Sequence, residues 1–134
     1  MSHVISLETS VQMTDKGCII KAAEKLGCKT LEKAKARYWN GQFHYGDIVV
    51  QHPQSPYDLA FNKQENGAYK VEGDLWGGHI AKIYGTPGKP LSKLEAAYQA
   101  EKSKKIAKAL GHTLIETVDP QTGVIRHKVV ISNG

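Results

Sequence analysis

Apolar and polar residues alternate along several stretches of the chain, and an alternation of period two predicts a half-buried strand. In the first stretch, 4–11, Ile5, Leu7 and Val11 share one face while Ser6 and Glu8 lie on the other. Turn residues separate the later stretches, and Asn66-Gly67 is a typical hairpin turn. The further strands are predicted around 34–38, 45–51, 57–61, 69–76, 113–118 and 124–131.

Two segments show helical spacing instead. Thr14 or Asp15 is predicted to cap the first helix, because its side-chain oxygen can accept an unpaired amide hydrogen. The apolar positions of 19–26 then recur at helical intervals, and Gly27 is expected to end the helix.

The second predicted helix runs from Ser92 to Leu110 and stops at Gly111. Ser92 and Glu95 have the spacing of a capping box, in which each side chain bonds to the other's backbone amide. Lys102 interrupts the apolar stripe and is expected to extend outward. The predicted stripe comprises Leu94, Tyr98, Ile106, Ala109 and Leu110.

This order of elements predicts an α+β fold in one domain spanning 1–134: strand, helix, four strands, helix, two strands. Short connections favour a single, mainly antiparallel sheet with both helices on one face. The second face must then be polar, covered or used in association. Because the last strand has apolar residues on both sides, we expect part of that face to be covered by another subunit, as in a homodimer.

Composition excludes several protein classes. Of the 134 residues, 40% are hydrophobic and 23% charged, which argues against collagen-like, disordered and disulfide-scaffold proteins. No apolar run reaches the roughly 20 residues of a membrane span, and the first ten residues lack a secretory signal. Cys18 and Cys28 are therefore expected to be free thiols in a reducing, cytoplasmic compartment.

A net charge of +5, from 18 basic and 13 acidic residues, favours acidic partners but also serves solubility alone. Neutralisation of phosphates combined with base stacking requires basic and aromatic side chains on neighbouring strands. The alternative to nucleic-acid binding is that this strand face is simply solvated, with Trp39 packed at its end. The candidate nucleic-acid contacts are Lys33, Lys35, Arg37 and Trp39, followed by Phe43 and Tyr45.

Three parts of the sequence resemble a known family: Met1-Ser2-His3, the segment 57–61 (Tyr-Asp-Leu-Ala-Phe) and the segment 67–77, which ends in Asp-Leu-Trp-Gly. They resemble an uncharacterised family of hypothetical proteins found in cyanobacteria, plastid genomes and some phages. The resemblance implies a soluble protein of the cytoplasm, the plastid stroma or a phage host's cytoplasm, and it implies no reaction. The stretch 78–90 departs from the family pattern.

A long loop is predicted from Gly77 to Pro90, and loops of this length are often functional. An acid, an aromatic ring, flexible glycines and an imidazole can build a small-molecule or anion pocket, in which Asp74 orients His79 for acid–base chemistry. The structural alternative has Trp76 filling the core and His79 exposed. The ligand-binding candidates are Asp74, Trp76, Gly77, Gly78, His79 and Lys82.

Other chemistry lacks support in the sequence. The run 85–90 is too short for a phosphate-binding loop, and Lys89 precedes a proline without an amide hydrogen. The six histidines form no local metal-binding pair, so we expect neither a metal nor a cofactor. The leading hypothesis is a non-enzymatic binding or assembly module that associates with itself through its sheet. The alternatives are nucleic-acid binding by the basic strand, a small-molecule site or enzyme at Asp74–His79, and a different protein partner.

Overall fold

The computed structural model describes residues 4–131, so the Met1–His3 part of the resemblance lies outside the described residues. These residues form seven strands and three α-helices, which confirms the α+β class. The strands are β1 (Val4–Leu7), β2 (Lys29–Arg37), β3 (Phe43–Gln51), β4 (Leu59–Lys63), β5 (Tyr69–Asp74), β6 (His112–Val118) and β7 (Ile125–Ile131). The helices are α1 (Lys16–Lys25), α2 (His79–Tyr84) and α3 (Ser92–Ala109).

Five strands form one antiparallel sheet in the order β1-β5-β4-β3-β2. The first strand in the chain thus occupies one edge of the sheet, beside β5. Strands β6 and β7 do not join this sheet; they pair with each other as a separate antiparallel hairpin. The final hairpin is therefore present as predicted, but it forms a second, smaller sheet.

The main core lies between the helices and one face of the five-stranded sheet. Ile48, Leu59 and Phe61 lie on that face, and each is at most 1% exposed. Ile19 of α1 and Tyr98 of α3 pack against them from the helices. Burial of these side chains supplies the main stabilisation of the fold, at roughly 1.5–3 kcal/mol for each fully buried large apolar side chain.

The second face of the sheet is covered locally by the chain itself. The half of the β2–β3 hairpin beyond Lys33 turns back across the sheet, because Lys33 has a φ of 48° within a strand. Ala36 and Tyr38 then pack on Val49 and Ala60 in a small cluster separate from the main core. Part of the outer face is thus buried by the β2–β3 hairpin of the same copy.

Where the β2–β3 hairpin bends away from β4, side-chain hydrogen bonds replace the backbone hydrogen bonds between β3 and β4. The Asn62 amide donates to the Tyr45 carbonyl (3.0 Å), and its Oδ1 accepts the Asp47 N–H (3.0 Å). Gly46 lies in a confined place at this bend, since a Cβ there would lie 2.9 Å from the Ile48 carbonyl oxygen and 3.2 Å from the Cβ of Ala60. The bend therefore depends on a residue without a side chain and on one amide that satisfies both strands.

The helix ends agree only in part with the sequence predictions. Asp15 caps α1 by accepting the Cys18 N–H (3.1 Å), and Gly27 follows the helix with a φ of 81°. The prediction of a capping box at the start of α3 is wrong. The N-cap is Leu91, and the Glu95 carboxylate accepts hydrogen bonds from the N–H and the hydroxyl of Ser10 instead.

The apolar stripe of α3 is correct only in its first half. Leu94 and Tyr98 are buried, whereas Ile106 and Leu110 are more than half exposed. Small residues, Ala97 and Ala100, make up much of the rest of the buried face, which lets α3 approach α1. Lys102 does extend outward, and its ammonium lies 3.9 Å from Asp15.

The long loop predicted over 77–90 is partly helical. A short 3₁₀ turn (Trp76–Gly78) leads into α2, which buries Ile80 and Tyr84 in the core. Six residues bounded by glycines are too few to show a helical period, which explains why the sequence pattern missed α2.

Candidate functional site

Asp74 is buried and acts as a connector. Its Oδ2 accepts the Trp39 N–H (3.0 Å) just after β2, and its Oδ1 accepts the Trp76 N–H (2.9 Å) just after β5. Both carboxylate oxygens are thus occupied by backbone amides. The proposed role of Asp74 in orienting His79 has no counterpart in these hydrogen bonds.

Trp76 lies at the surface and is 49% exposed, so the structural alternative that placed it in the core is wrong. Gly77 and Gly78 both have a φ of 72°, which favours glycine. A Cβ on Gly77 would also lie 2.9 Å from the Nε2 of His79. The two glycines therefore let the chain turn tightly beneath the His79 ring and leave the Trp76 indole outside.

His79 and Lys82 face a small cavity of about 270 Å³, together with Leu26, His52, Gln54 and Ile83. The His79 ring contacts Tyr57 edge-on, with centroids 5.5 Å apart. His52 Nδ1 accepts the Gln54 N–H (3.1 Å), which leaves Nε2 as the protonated nitrogen of the neutral ring. Sequence reasoning missed His52 because it lies 27 residues before His79 and shares no local motif with it.

The basic strand is brought together with aromatic residues as its sequence suggested. Lys35 lies opposite Tyr45 and Arg37 opposite Phe43 in the β2–β3 pairing, and both aromatic rings are more than half exposed. Lys33 and Lys35 are exposed as well. Trp39 is half-buried in the turn that follows β2.

Arg37 has a structural partner, which changes its part in that surface. Its guanidinium bonds to both oxygens of the fully buried Asp58 (3.1 and 2.9 Å) and to the Ser55 carbonyl (3.3 Å). Because Arg37 donates these hydrogen bonds to the Asp58 carboxylate, the pKa of Arg37 is raised above its ordinary value. Arg37 therefore anchors the folded-back hairpin to the start of β4.

An aromatic contact lies within the hairpin itself. The Tyr38 ring stacks on His44 with centroids 4.5 Å apart. Its buried hydroxyl has no hydrogen-bond partner among residues 4–131. Burial, reinforced by the charges of Glu72, Asp58 and Asp74, raises the pKa of Tyr38 well above its usual range, so the phenol stays neutral.

The most apolar surface belongs to the second sheet and the end of α3. Within the described residues, seven large apolar side chains between 106 and 130 are 41–65% exposed. Sequence reasoning assigned Ile106 and Leu110 to a helix core, and it interpreted the apolar residues on both sides of the last strand as a sign of another subunit. These residues lie on both faces of the hairpin and at the end of α3, and they are called the hairpin patch below: Ile106, Leu110, Ile115, Val118, Val124, Val129 and Val130.

A cluster of charges attaches the β6–β7 hairpin to the helices. The Glu116 carboxylate lies 2.8 Å from Lys25 of α1, 3.0 Å from Lys104 of α3 and 3.0 Å from His127 on β7. Burial raises the pKa of Glu116, but the hydrogen bonds from these three partners outweigh it and lower the pKa from 4.5 to about 2. Ile125 adds an apolar contact with the main core.

Three further findings bear on function. No helix in the segment 4–131 is both long and apolar enough to cross a membrane. Over the same residues, no three His, Cys, Asp or Glu side chains come together in a way that could hold a metal ion. Comparison of the chain with protein-family models, curated proteins and solved structures finds no match.

Proposed function

We propose that this protein is a non-enzymatic assembly module whose copies associate through the hairpin patch. The observation that carries the proposal is the concentration of exposed apolar side chains on β6, β7 and the end of α3. Exposed apolar side chains in such number are typical of protein interaction sites. The other face of the main sheet offers less, because its apolar cluster is already covered by the β2–β3 hairpin.

The β6–β7 hairpin also has backbone groups that could pair with a second copy. Within the described residues, β6 and β7 pair only with each other, so each has an open edge. Two strands alone form a marginal sheet, and here the helices provide the support on one side only. A strand from a second copy would satisfy the open backbone groups and bury the apolar side chains together.

The side chains favour β6 as the edge at which two copies meet. Ile115, flanked by Thr113 and Thr117, lies on the outward face, so two antiparallel copies of β6 centred on Ile115 bring apolar and hydroxyl side chains together. On β7 the same face carries Arg126 and Lys128, whose like charges repel in a pair of β7 strands.

Sedimentation equilibrium from micromolar to near-millimolar concentration tests this proposal. We expect the mass to rise from 14.7 kDa toward twice that value, and we expect Ile115→Arg to hold the protein at the monomer mass. Trp76→Arg is the matched control, because Trp76 is exposed to a similar degree but lies outside the hairpin patch. A wild-type protein that stays monomeric, or an Ile115→Arg protein that associates normally, would contradict the proposal.

A second candidate, binding of single-stranded nucleic acid, is favoured by one observation. Phe43 and Tyr45 are exposed directly beside Lys35 on the folded-back hairpin. Exposed rings provide stacking surfaces for bases, and neighbouring lysines neutralise phosphates. Because Arg37 is bound to Asp58, the charge available to a ligand comes from Lys33 and Lys35.

Fluorescence anisotropy with labelled single-stranded oligonucleotides at low salt tests the second candidate. Stacking contributes about 1–3 kcal/mol per base, so Phe43→Ala with Tyr45→Ala is expected to weaken binding at least tenfold. Trp76→Ala, which removes an exposed ring elsewhere, should leave the affinity unchanged. Absence of binding by the wild-type protein at low salt would remove this candidate.

A further inference from the structure

A groove of about 590 Å³ runs along the free edge of β1. One wall is a continuous run of backbone, residues 5–10, and the other is the first turns of α3 with the segment 88–91 that precedes it. The helix residues in this wall, at positions 92, 95, 96 and 99, share one face of α3. This cavity, called the β1 groove below, lies against an open strand edge.

The wall formed by β1 has unused hydrogen-bonding groups. Among the described residues, strand β1 pairs only with β5, in the register Ile5↔Gly73 to Leu7↔Val71. Alternate residues of β1 therefore direct their N–H and C=O groups away from the sheet. These groups recur along the strand with the spacing of an extended chain. Beyond Thr9 the run ends, since the N–H and hydroxyl of Ser10 bond to Glu95 and close the groove.

The apolar side chains of the groove lie toward the helices. Ile5 is 46% exposed although it lies on the same side of β1 as the buried Leu7. Leu75 and Pro90 line the groove near the same end. An apolar side chain from an added strand would therefore be covered by Ile5, Leu75 and Pro90.

The opposite side of β1 is acidic. Glu8 is exposed there, and Glu72 of β5 lies opposite Ser6, the residue two positions before Glu8. Among residues 4–131, no Lys or Arg lies within ion-pair distance of Glu8 or Glu72, according to the ion pairs in the structure. A strand placed beside β1 would thus present alternate side chains to an apolar side and to an acidic side.

We propose that the β1 groove binds an extended segment of a partner protein, of alternating apolar and basic residues, as a sixth strand of the sheet. Main-chain hydrogen bonds to β1 supply the affinity, and the alternation of apolar and basic side chains supplies the selectivity. The groove lies against β1 and the start of α3, whereas the hairpin patch lies on β6, β7 and the end of α3. The two interactions are therefore independent of each other.

A short synthetic peptide of alternating valine and lysine is the probe, and its binding is followed by calorimetry and by backbone NMR. We expect saturable binding, with shifts concentrated in residues 5–9 and 88–99. A peptide of alternating valine and glutamate should bind at least tenfold more weakly, because it places acids beside Glu8 and Glu72. Failure of the valine–lysine peptide to bind would overturn the proposal.

Backbone methylation of the peptide separates strand addition from nonspecific adsorption. N-methyl groups on the alternate residues that face β1 remove the donors of the ladder, whereas the same groups on the other residues leave it intact. We expect the first peptide to lose binding and the second to retain it. Equal binding of the two peptides would contradict addition to β1.

A charge reversal in the protein completes the test. Glu8→Lys is expected to weaken binding of the valine–lysine peptide by about tenfold. Glu65→Lys makes the same change on an exposed turn between β4 and β5 and should leave the affinity unchanged. Both positions are exposed, so both variants should fold, and an equal effect of the two would show general charge attraction instead of the proposed site.

Discussion

The five-stranded sheet and the β6–β7 hairpin use their apolar residues in different ways. In the larger sheet, Ile48, Leu59 and Phe61 are almost completely buried beneath the helices. In the smaller sheet, Ile115 and Val129 remain more than half exposed, and the attachment to the helices depends largely on the charges around Glu116. The comparison teaches that one sheet supplies the core of the fold, while the other leaves apolar side chains exposed.

A substitution in the larger sheet should have the largest effect on stability. Phe61→Ala removes a fully buried ring from the main core and leaves a cavity, so we expect a loss of about 3–5 kcal/mol in the free energy of unfolding. Urea denaturation followed by circular dichroism measures this change. A loss below about 1 kcal/mol would show that the core repacks around the cavity and would weaken the contrast between the sheets.

The anchor of the folded-back hairpin should have the next largest effect. Arg37→Met keeps the side-chain stem but deprives the buried Asp58 of its guanidinium, for an expected loss of about 2 kcal/mol. Lys35→Met is the matched control on the same strand and should change stability by no more than about 0.5 kcal/mol. Similar losses in both variants would contradict the anchoring role of Arg37.

The attachment of the smaller sheet should depend on pH. Because the pKa of Glu116 is lowered from 4.5 to about 2 in the folded protein, its contribution is complete above pH 4.5 and is lost as the pH falls toward 2. We expect that contribution to be about 1–2 kcal/mol, reduced by the partial solvent contact of the cluster. Denaturation across this pH range should give a smaller slope for Glu116→Gln than for the wild type, and equal slopes would contradict the prediction.

The smallest effect on folding is expected in the hairpin patch. Ile115→Thr removes exposed apolar surface and keeps a residue suited to a strand, so the monomer should change in stability by no more than about 0.5 kcal/mol. Self-association should weaken in the same variant, as measured by sedimentation. A large loss of monomer stability would mean that the smaller sheet has a structural role like that of the larger one.

Patterns along the chain predicted the elements well where one period covers several residues. Strand β4 follows from alternation, β3 from its apolar run, and β6 and β7 from the turn between them. Helix α1 follows from its apolar spacing, the cap at Asp15 and the glycine at its end. These features are set by neighbours in sequence, which explains why the sequence alone could reveal them.

The features that were missed depend on residues distant in sequence. The bend at Lys33 is fixed by the contacts of Arg37 with Asp58 and of Trp39 with Asp74, and a positive φ at lysine has no sequence signal. The bond from Ser10 to Glu95 displaced the expected capping box for the same reason. The β1 groove likewise exists because β1 pairs with β5, so its residues carry no motif that the sequence could show.

The folded-back hairpin also limits how the larger sheet can grow. At Arg37, both the N–H and the C=O bond to Asp58, so the far half of β2 offers no continuous template to another strand. The sheet could therefore gain a strand at β1 but not at the far half of β2. Because a fibre needs both edges of the sheet, copies could not polymerise through this sheet. The geometry of β2 thus favours a finite complex over open-ended growth.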